Sequence, residues 1–281
     1  MQRTIAVVTG ANSGIGKETA RGLAQQGFEV ILAVRDQARG EAARAELAAS
    51  VPAAKFHLRR LDLGSQAAIR SFVRSIEAEF DHLDVLVNNA GLVPATRTTT
   101  ADGHETQLAV NHLGPFLLTL LLLPRLEAAP AGRIVVVSSS VHRSGKLNLA
   151  DLDAERGYGM NRRYSETKLM NVLFVRALAR RLAGTRVTVN ALHPGVVATE
   201  LARDFPAAFR WMARWFFTTP EKGARTSIYV ASSPELANIS GRYFADRREQ
   251  KPGPAALDDS LAEQLWTASA RLTGADRPLP A

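Results

Sequence analysis

The 281-residue sequence predicts an α/β fold: a doubly wound parallel sheet of about seven strands with helices on both faces. Three observations carry this. Short apolar runs alternate with helix-forming stretches along most of the chain. The runs are apolar throughout rather than at every second residue, as strands covered on both faces must be. The first run ends in a glycine-rich turn that leads straight into a helical pattern.

The elements follow in order. Residues 4–8 form the first strand, ending in Thr9-Gly10, and a helix runs on to Gly27. Strand 30–34 is followed by an alanine- and glutamate-rich helix, 37–49. Strand 56–61, helix 69–80 and strand 85–87 come next. Helix-forming sequence at 105–126 contains the richest apolar stretch, 116–123. That stretch is too short to span a bilayer as a helix, which needs about 20 residues, and reads as buried. Strand 134–137, a long helix at 164–182 and strand 187–192 follow, then helix 219–232 and a short strand at 242–244. After a loop rich in proline and glycine comes helix 259–272, and 278–281 reads as a frayed end. Right-handed crossovers between parallel strands leave a doubly wound sheet as the topology. With no repeat and no linker, residues 1–281 read as one domain.

Composition narrows the function. Apolar content of 46% and charged content of 22% are those of a globular protein. There is no cysteine, so disulfides, thiolate nucleophiles and cysteine metal sites are excluded. No cleavable signal precedes the first strand, and the expected location is the cytoplasm. The net charge of +8 raises the question of nucleic acid, but the arginines are scattered and no nucleic-acid motif is present. A soluble protein with a phosphate-bearing cofactor is the better reading, and no nucleic-acid partner is expected.

Thr9-Gly10-Ala11-Asn12-Ser13-Gly14-Ile15-Gly16 lies between the first strand and the first helix. Glycines there permit positive φ and close approach of a ligand. The helix start offers unpaired N–H groups and the positive end of its dipole to a diphosphate. The spacing is G-x-x-x-G-x-G rather than G-x-G-x-x-G, and a ligand-free tight turn is the competing reading. Cofactor choice is read after the second strand, where an acidic residue holds a ribose 2′-hydroxyl and arginine accommodates a 2′-phosphate. Val34 stands at the acidic position and Arg35 follows it, which favours NADP(H) and leaves NAD(H) open. Lys17 could add charge, whereas Asp36 is a counter-signal.

Tyr164 and Lys168, at i and i+4, share one helix face. A nearby ammonium favours tyrosinate, and moving a phenol from ~10 towards 7 takes roughly 4 kcal/mol. Such a tyrosine can exchange a proton with a carbonyl or alcohol oxygen. Taken alone, the pair also reads as an exposed helix pair. Ser138-Ser139-Ser140 ends the fifth predicted strand, and Asn88-Asn89-Ala90-Gly91 the fourth; both are carboxyl ends, where such sheets bind ligands. Asn111, inside a helix, is either tied into a core network or functional. His142 reads as loop structure and His193 as a core histidine. No histidine–carboxylate group has ligand spacing, so no metal is expected.

Together these motifs resemble the short-chain dehydrogenase/reductase family over nearly the whole chain. They run in order through Thr9 to Gly16, Asp62-Leu63, Asn88 to Gly91, Asn111, Ser139, Tyr164 with Lys168, and His193-Pro194-Gly195. Within it, Gly14 to Ala20, Val110 to Gly114, Thr219 to Ala224 and Ser240 to Phe244 resemble the retinol dehydrogenase-like branch. The resemblance implies a Rossmann-like fold and an oxidoreductase interconverting an alcohol with an aldehyde or ketone. It implies Tyr164 as acid/base and Lys168 as the group that lowers its pKa and holds the nicotinamide ribose. Ser139, second after the strand, would orient the substrate oxygen, and Asn111 would complete a proton relay through water. For the cofactor it implies Gly10, Asn12, Ser13, Gly14, Ile15 and Gly16 at the phosphates, and Asp62 and Leu63 at the adenine. Asn89, Ala90 and Gly91 would meet the adenosine ribose, and Pro194, Gly195, Val197 and Thr199 the nicotinamide.

The resemblance also implies a substrate lid around 200–220. Phe205, Phe209, Trp211, Met212, Trp215, Phe216 and Phe217 there suggest a bulky apolar substrate such as a retinoid, steroid or long-chain aldehyde. Arg210 and Arg214 among them suit peripheral membrane contact, and ordinary packing is the competing reading. A homodimer through the helices holding Asn111 and Tyr164 is a further expectation. The alternative function is a non-catalytic NADP(H) sensor of the same fold.

Overall fold

The computed structural model describes residues 3–195 and 219–275. Its strands are β1 (Ile5–Thr9), β2 (Glu29–Val34), β3 (Phe56–Arg60), β4 (Val85–Asn88), β5 (Arg133–Val137), β6 (Thr188–His193), β7 (Tyr243–Ala245) and β8 (Arg248–Glu249). They form one sheet in the order β3-β2-β1-β4-β5-β6-β7-β8. Every pairing is parallel except β7 with β8. The helices are α1 (Gly14–Gln25), α2 (Gln37–Ser50), α3 (Gln66–Glu77), α4 (Thr106–Glu127), α5 (Met160–Arg181), α6 (Pro220–Ser232) and α7 (Asp259–Thr273). The predicted lid lies almost wholly outside the described residues, as does the frayed end at 278–281.

The strands are apolar at consecutive positions because each side of the sheet has its own core. Ile5, Val7, Ile31, Ala33, Ile134 and Val136 point into one. Their neighbours Ala6, Val8, Leu32, Val34, Val135 and Val137 point into the other. The chain runs from β1 outwards through β2 and β3, then returns to place β4 on the other side of β1. The reversal opens a crevice beyond the carboxyl ends of β1 and β4, where such sheets bind ligands.

Two differences from the sequence reading have local causes. The strand β8 was not predicted; it pairs with β7 through Asp246 and Arg247, both at positive φ (47° and 57°). That is the geometry of a two-residue hairpin, but without the Asn-Gly or Asp-Gly that announces one. And the apolar stretch 116–123 is part of a 22-residue helix, α4, which by length and composition alone is long enough to cross a membrane. Of that helix's apolar window 83% is buried in the fold, so its hydrophobicity serves the core.

α7 lies across both α4 and α5. Its Trp266 packs against Phe116 of α4 (5.0 Å between ring centroids) and Phe174 of α5 (6.0 Å). Asp258 caps its start and Gly274, at φ 58°, ends it.

Candidate active site

The glycine loop occupies the crevice between β1 and α1. Gly10 has φ 67°, a conformation costly for any side-chain-bearing residue. Gly16 leaves no room for one: a Cβ there would lie 2.3 Å from the Gly10 carbonyl and 2.4 Å from Asn89 Nδ2. Asn12, Gly14 and Ile15 complete the turn, with Ile15 buried. Ser13 is the N-cap residue of α1 but makes no side-chain cap bond, which leaves the first N–H groups of the helix for a ligand. This cradle fits a diphosphate.

The β4 end is stapled to the same loop. The N–H groups of Asn89 and Ala90 donate to Thr9 Oγ1 (2.9 and 3.0 Å), and Asn89 Nδ2 donates to the Thr9 carbonyl (2.8 Å). Thr9 thus sets the distance between the two halves of the crevice, a role the sequence reading did not assign. A threonine closing a buried strand beside a glycine turn was the available signal.

At the rim beyond β2, Arg35 is exposed. Asp36 accepts from the Arg39 N–H (3.1 Å) as the N-cap of α2, so the apparent counter-signal is a helix start. Lys17 donates to both carboxylate oxygens of Glu46 (2.8 Å each). Arg60, opposite Val34 in register, is a second exposed cation at this rim that the sequence reading did not weigh. Asp62 Oδ1 accepts from the Gly64 N–H (2.9 Å) in a turn after β3, while Leu63 packs into the core. Pro194 and Gly195 follow β6, with the Gly195 N–H donating to His193 Nδ1 (3.0 Å). Val197 and Thr199 lie outside the described residues.

Tyr164, Lys168 and Ser139 come together at the carboxyl end of β5. The i, i+4 spacing brings Lys168 Nζ to 5.5 Å from the centre of the Tyr164 ring. The Ser139 side chain lies close enough to the Tyr164 phenol to favour its ionised form. The structure discriminates among the three serines. Ser138 is buried and donates to the Lys168 carbonyl (2.7 Å), so it is a fastener. Ser139 is the one beside the tyrosine, and Ser140 opens a 3-10 turn, Ser140–Ser144.

Burial sets the electrostatics of this site. It pushes the Tyr164 phenol up to about 12, opposed by the Ser139 side chain beside it. Lys168 does not offset this, because burial holds its own ammonium down to about 8. Lys168 Nζ donates instead to the Val137 carbonyl (3.1 Å). At neutral pH the protein alone therefore presents Tyr164 as a protonated acid.

Asn111 lies in a π-turn, Ala109–Leu113, within α4, where the Gly114 N–H reaches back to the Ala109 carbonyl. Its side chain is fully committed. Oδ1 accepts from the Leu92 N–H (2.8 Å), and Nδ2 donates to the Leu92 carbonyl (2.9 Å) and to Thr167 Oγ1 (3.3 Å). A relay would have to use its main-chain carbonyl, whose usual partner four residues on, Pro115, has no N–H. Gly91 sits between these groups: a Cβ there would be 3.3 Å from Asn111 Oδ1 and 3.6 Å from Lys168 Nζ.

His142 is fully buried and belongs to the serine turn, as loop structure. His193 is half-buried, its ring 6.1 Å from Tyr243. Among the described residues no group of three or more histidines and carboxylates could hold a metal.

A tyrosine acid with a serine and a lysine next to it, beside a dinucleotide cradle, defines an oxidoreductase of alcohols and carbonyls. The chain belongs to the short-chain dehydrogenase family, whose profile it matches over residues 4–208. It is 44% identical to human retinol dehydrogenase 14, over 95% of this chain and 85% of that protein. It is also 44% identical to retinol dehydrogenase 12 of Bos taurus, over 96% and 86%. A solved structure from Mycobacterium paratuberculosis superimposes with a TM-score of 0.81 at 37% identity, over 100% of this chain and 96% of that one. Another from Beutenbergia cavernae, with NADP bound at low occupancy, gives 0.70 at 27% identity, over 86% and 94%.

Proposed function

We propose that this oxidoreductase uses NADP(H) in preference to NAD(H) and acts on a bulky apolar aldehyde, ketone or alcohol. The observation that carries the cofactor preference is Arg35, exposed just past β2 where an acidic residue would hold a free 2′-hydroxyl, with Asp36 occupied as a helix cap. The NADP held by the Beutenbergia cavernae structure is consistent with it. For the substrate, support comes from the aromatic residues at 205–217 and from the likeness to proteins named retinol dehydrogenases.

NADPH, when bound, supplies the hydride. The chain's own part is positional. Gly10 to Gly16 receive the diphosphate, and Arg35 the 2′-phosphate. Ser139 orients the substrate oxygen, and Tyr164 delivers a proton to it. Asn111 holds Leu92 near that point, and Lys168 lies beside the tyrosine ring. A sensor of the same fold would need none of these last four groups to converge.

The test follows NADPH and NADH oxidation with aldehydes graded from two carbons to retinal size. NADPH turnover that improves with apolar bulk is the expected result. Arg35→Ala should raise KM for NADPH by roughly tenfold or more, the worth of one charge-assisted contact, with little change for NADH. Equal effects on the two cofactors would remove Arg35 from the phosphate site, and binding without turnover across the panel would favour the sensor.

A further inference from the structure

His142 is buried, and both its ring nitrogens have partners whose roles cannot reverse. Nδ1 lies 2.7 Å from the Ser139 carbonyl, which can only accept. Nε2 lies 2.9 Å from the Gly253 N–H, which can only donate. The ring is therefore neutral, with its proton on Nδ1. The same Ser139 carbonyl also receives the His142 backbone N–H (3.1 Å). On the far side, the segment 251–253 is clasped to this turn. Arg143 Nη2 donates to the Lys251 carbonyl (2.6 Å), and a Cβ on Gly253 would come within 3.0 Å of Arg143 Cα. The imidazole lies 4.8 Å from the Tyr243 ring of β7, between the sheet edge and the serine turn.

We propose that His142 is a positioning residue for Ser139: one nitrogen holds the serine's carbonyl and the other anchors that turn to the backbone at Gly253. The orientation of the serine hydroxyl is then set from the C-terminal segment, more than a hundred residues away in sequence. The proposal rests on the role given to Ser139 above. Protonating His142 would place an Nε2–H against the Gly253 N–H, two donors face to face, and release the strut. The titratable groups around it are Arg143 on its own turn, His193 at the end of β6 and Tyr243 on β7. Burial, together with the charges of Arg143 and His193, holds the His142 imidazole below its ordinary value, against the bond to Ser139. An acid limb in activity should therefore lie below pH 6.5.

The two contacts can be separated. His142→Asn retains a donor near the Nδ1 position, and His142→Gln an acceptor near Nε2. Both are compared with the parent and with Ser139→Ala for kcat, KM, NADPH affinity by fluorescence, pH profile and thermal melting. Ser139→Ala should lower kcat by on the order of 10²-fold. His142→Gln should lower kcat by roughly tenfold, the worth of one hydrogen bond, with KM and NADPH affinity held. His142→Asn lacks the acceptor for Gly253, as the protonated parent does, so its kcat should match the parent's acid plateau at every pH and show no acid limb. Parent-like kcat at neutral pH in either variant, or an acid limb that survives in His142→Asn, would overturn the proposal whatever the melting temperatures. Parent-like turnover in Ser139→Ala would instead overturn the serine assignment beneath it.

Discussion

At the scale of single residues, the chemistry turns on where protons sit. Tyr164 is pushed up to about 12 by burial, so at neutral pH it is an acid ready to donate. Carbonyl reduction uses that form directly, whereas alcohol oxidation needs the tyrosinate. The oxidation rate should climb about tenfold per pH unit between pH 7 and 9, while reduction changes by less than about threefold over the same range. Steady-state profiles in both directions decide this; an oxidation rate that is flat across that range would show that a bound cofactor moves the tyrosine down to neutrality. Tyr164→Phe should lower turnover by about 10³-fold, within the usual worth of a positioned acid, and leave NADPH binding nearly unchanged. Retained activity would transfer the proton to another group.

At the scale of elements, α5 is held in place by a buried charge cluster one residue from the tyrosine. Arg163 Nε donates to Glu105 Oε2 (2.8 Å), and its Nη1 to Glu166 (3.1 Å); Nη2 donates to the Leu152 carbonyl. Glu105 in turn caps α4, accepting from the N–H groups of Gln107 and Leu108 (2.7 and 2.8 Å). One pair thus joins the start of the Asn111 helix to the start of the Tyr164 helix, with both side chains almost fully buried. Removing one partner leaves a buried charge unpaired, so Arg163→Met should cost about 3–5 kcal/mol in urea unfolding. A loss under about 1 kcal/mol would mean that water reaches Glu105 and the pair is ornamental to stability.

Across the whole molecule, α7 fastens the C-terminal part of the chain over both functional helices. Besides Trp266, it brings Ser269 Oγ to 2.8 Å from His112 Nε2, next to Asn111. A homodimer through α4 and α5 was expected; α7 occupies surface on both, so a partner there would have to meet α7 as well. His112 makes this packing pH-dependent. Burial holds it down to about 4, against 6.5 for an ordinary histidine. The folded state therefore favours the neutral ring, and the stabilisation is complete above pH 6.5 and lost as pH falls towards 4. The loss should reach roughly 2–3 kcal/mol over that window. Urea midpoints at pH 7, 6 and 5 should fall more steeply for the parent than for His112→Asn, and parallel curves would assign the acid sensitivity to other groups.

Much of this was legible in the amino-acid order because it depends on near neighbours. The glycine turn, the i, i+4 pair of Tyr164 and Lys168, the apolar strands and the start of most helices obey rules that act over a few residues. Sequence order also placed Ser139 at the carboxyl end of a strand and Asn111 inside a helix. Other features needed the fold. That Ser138 fastens while Ser139 faces the tyrosine depends on a carbonyl 30 residues away. Asp36 became a cap, Lys17 paired with Glu46, and His142 found Gly253 only once distant segments met. The phenol's upward shift has the same origin. Burial is a property of everything packed around a group, and no local spacing carries it.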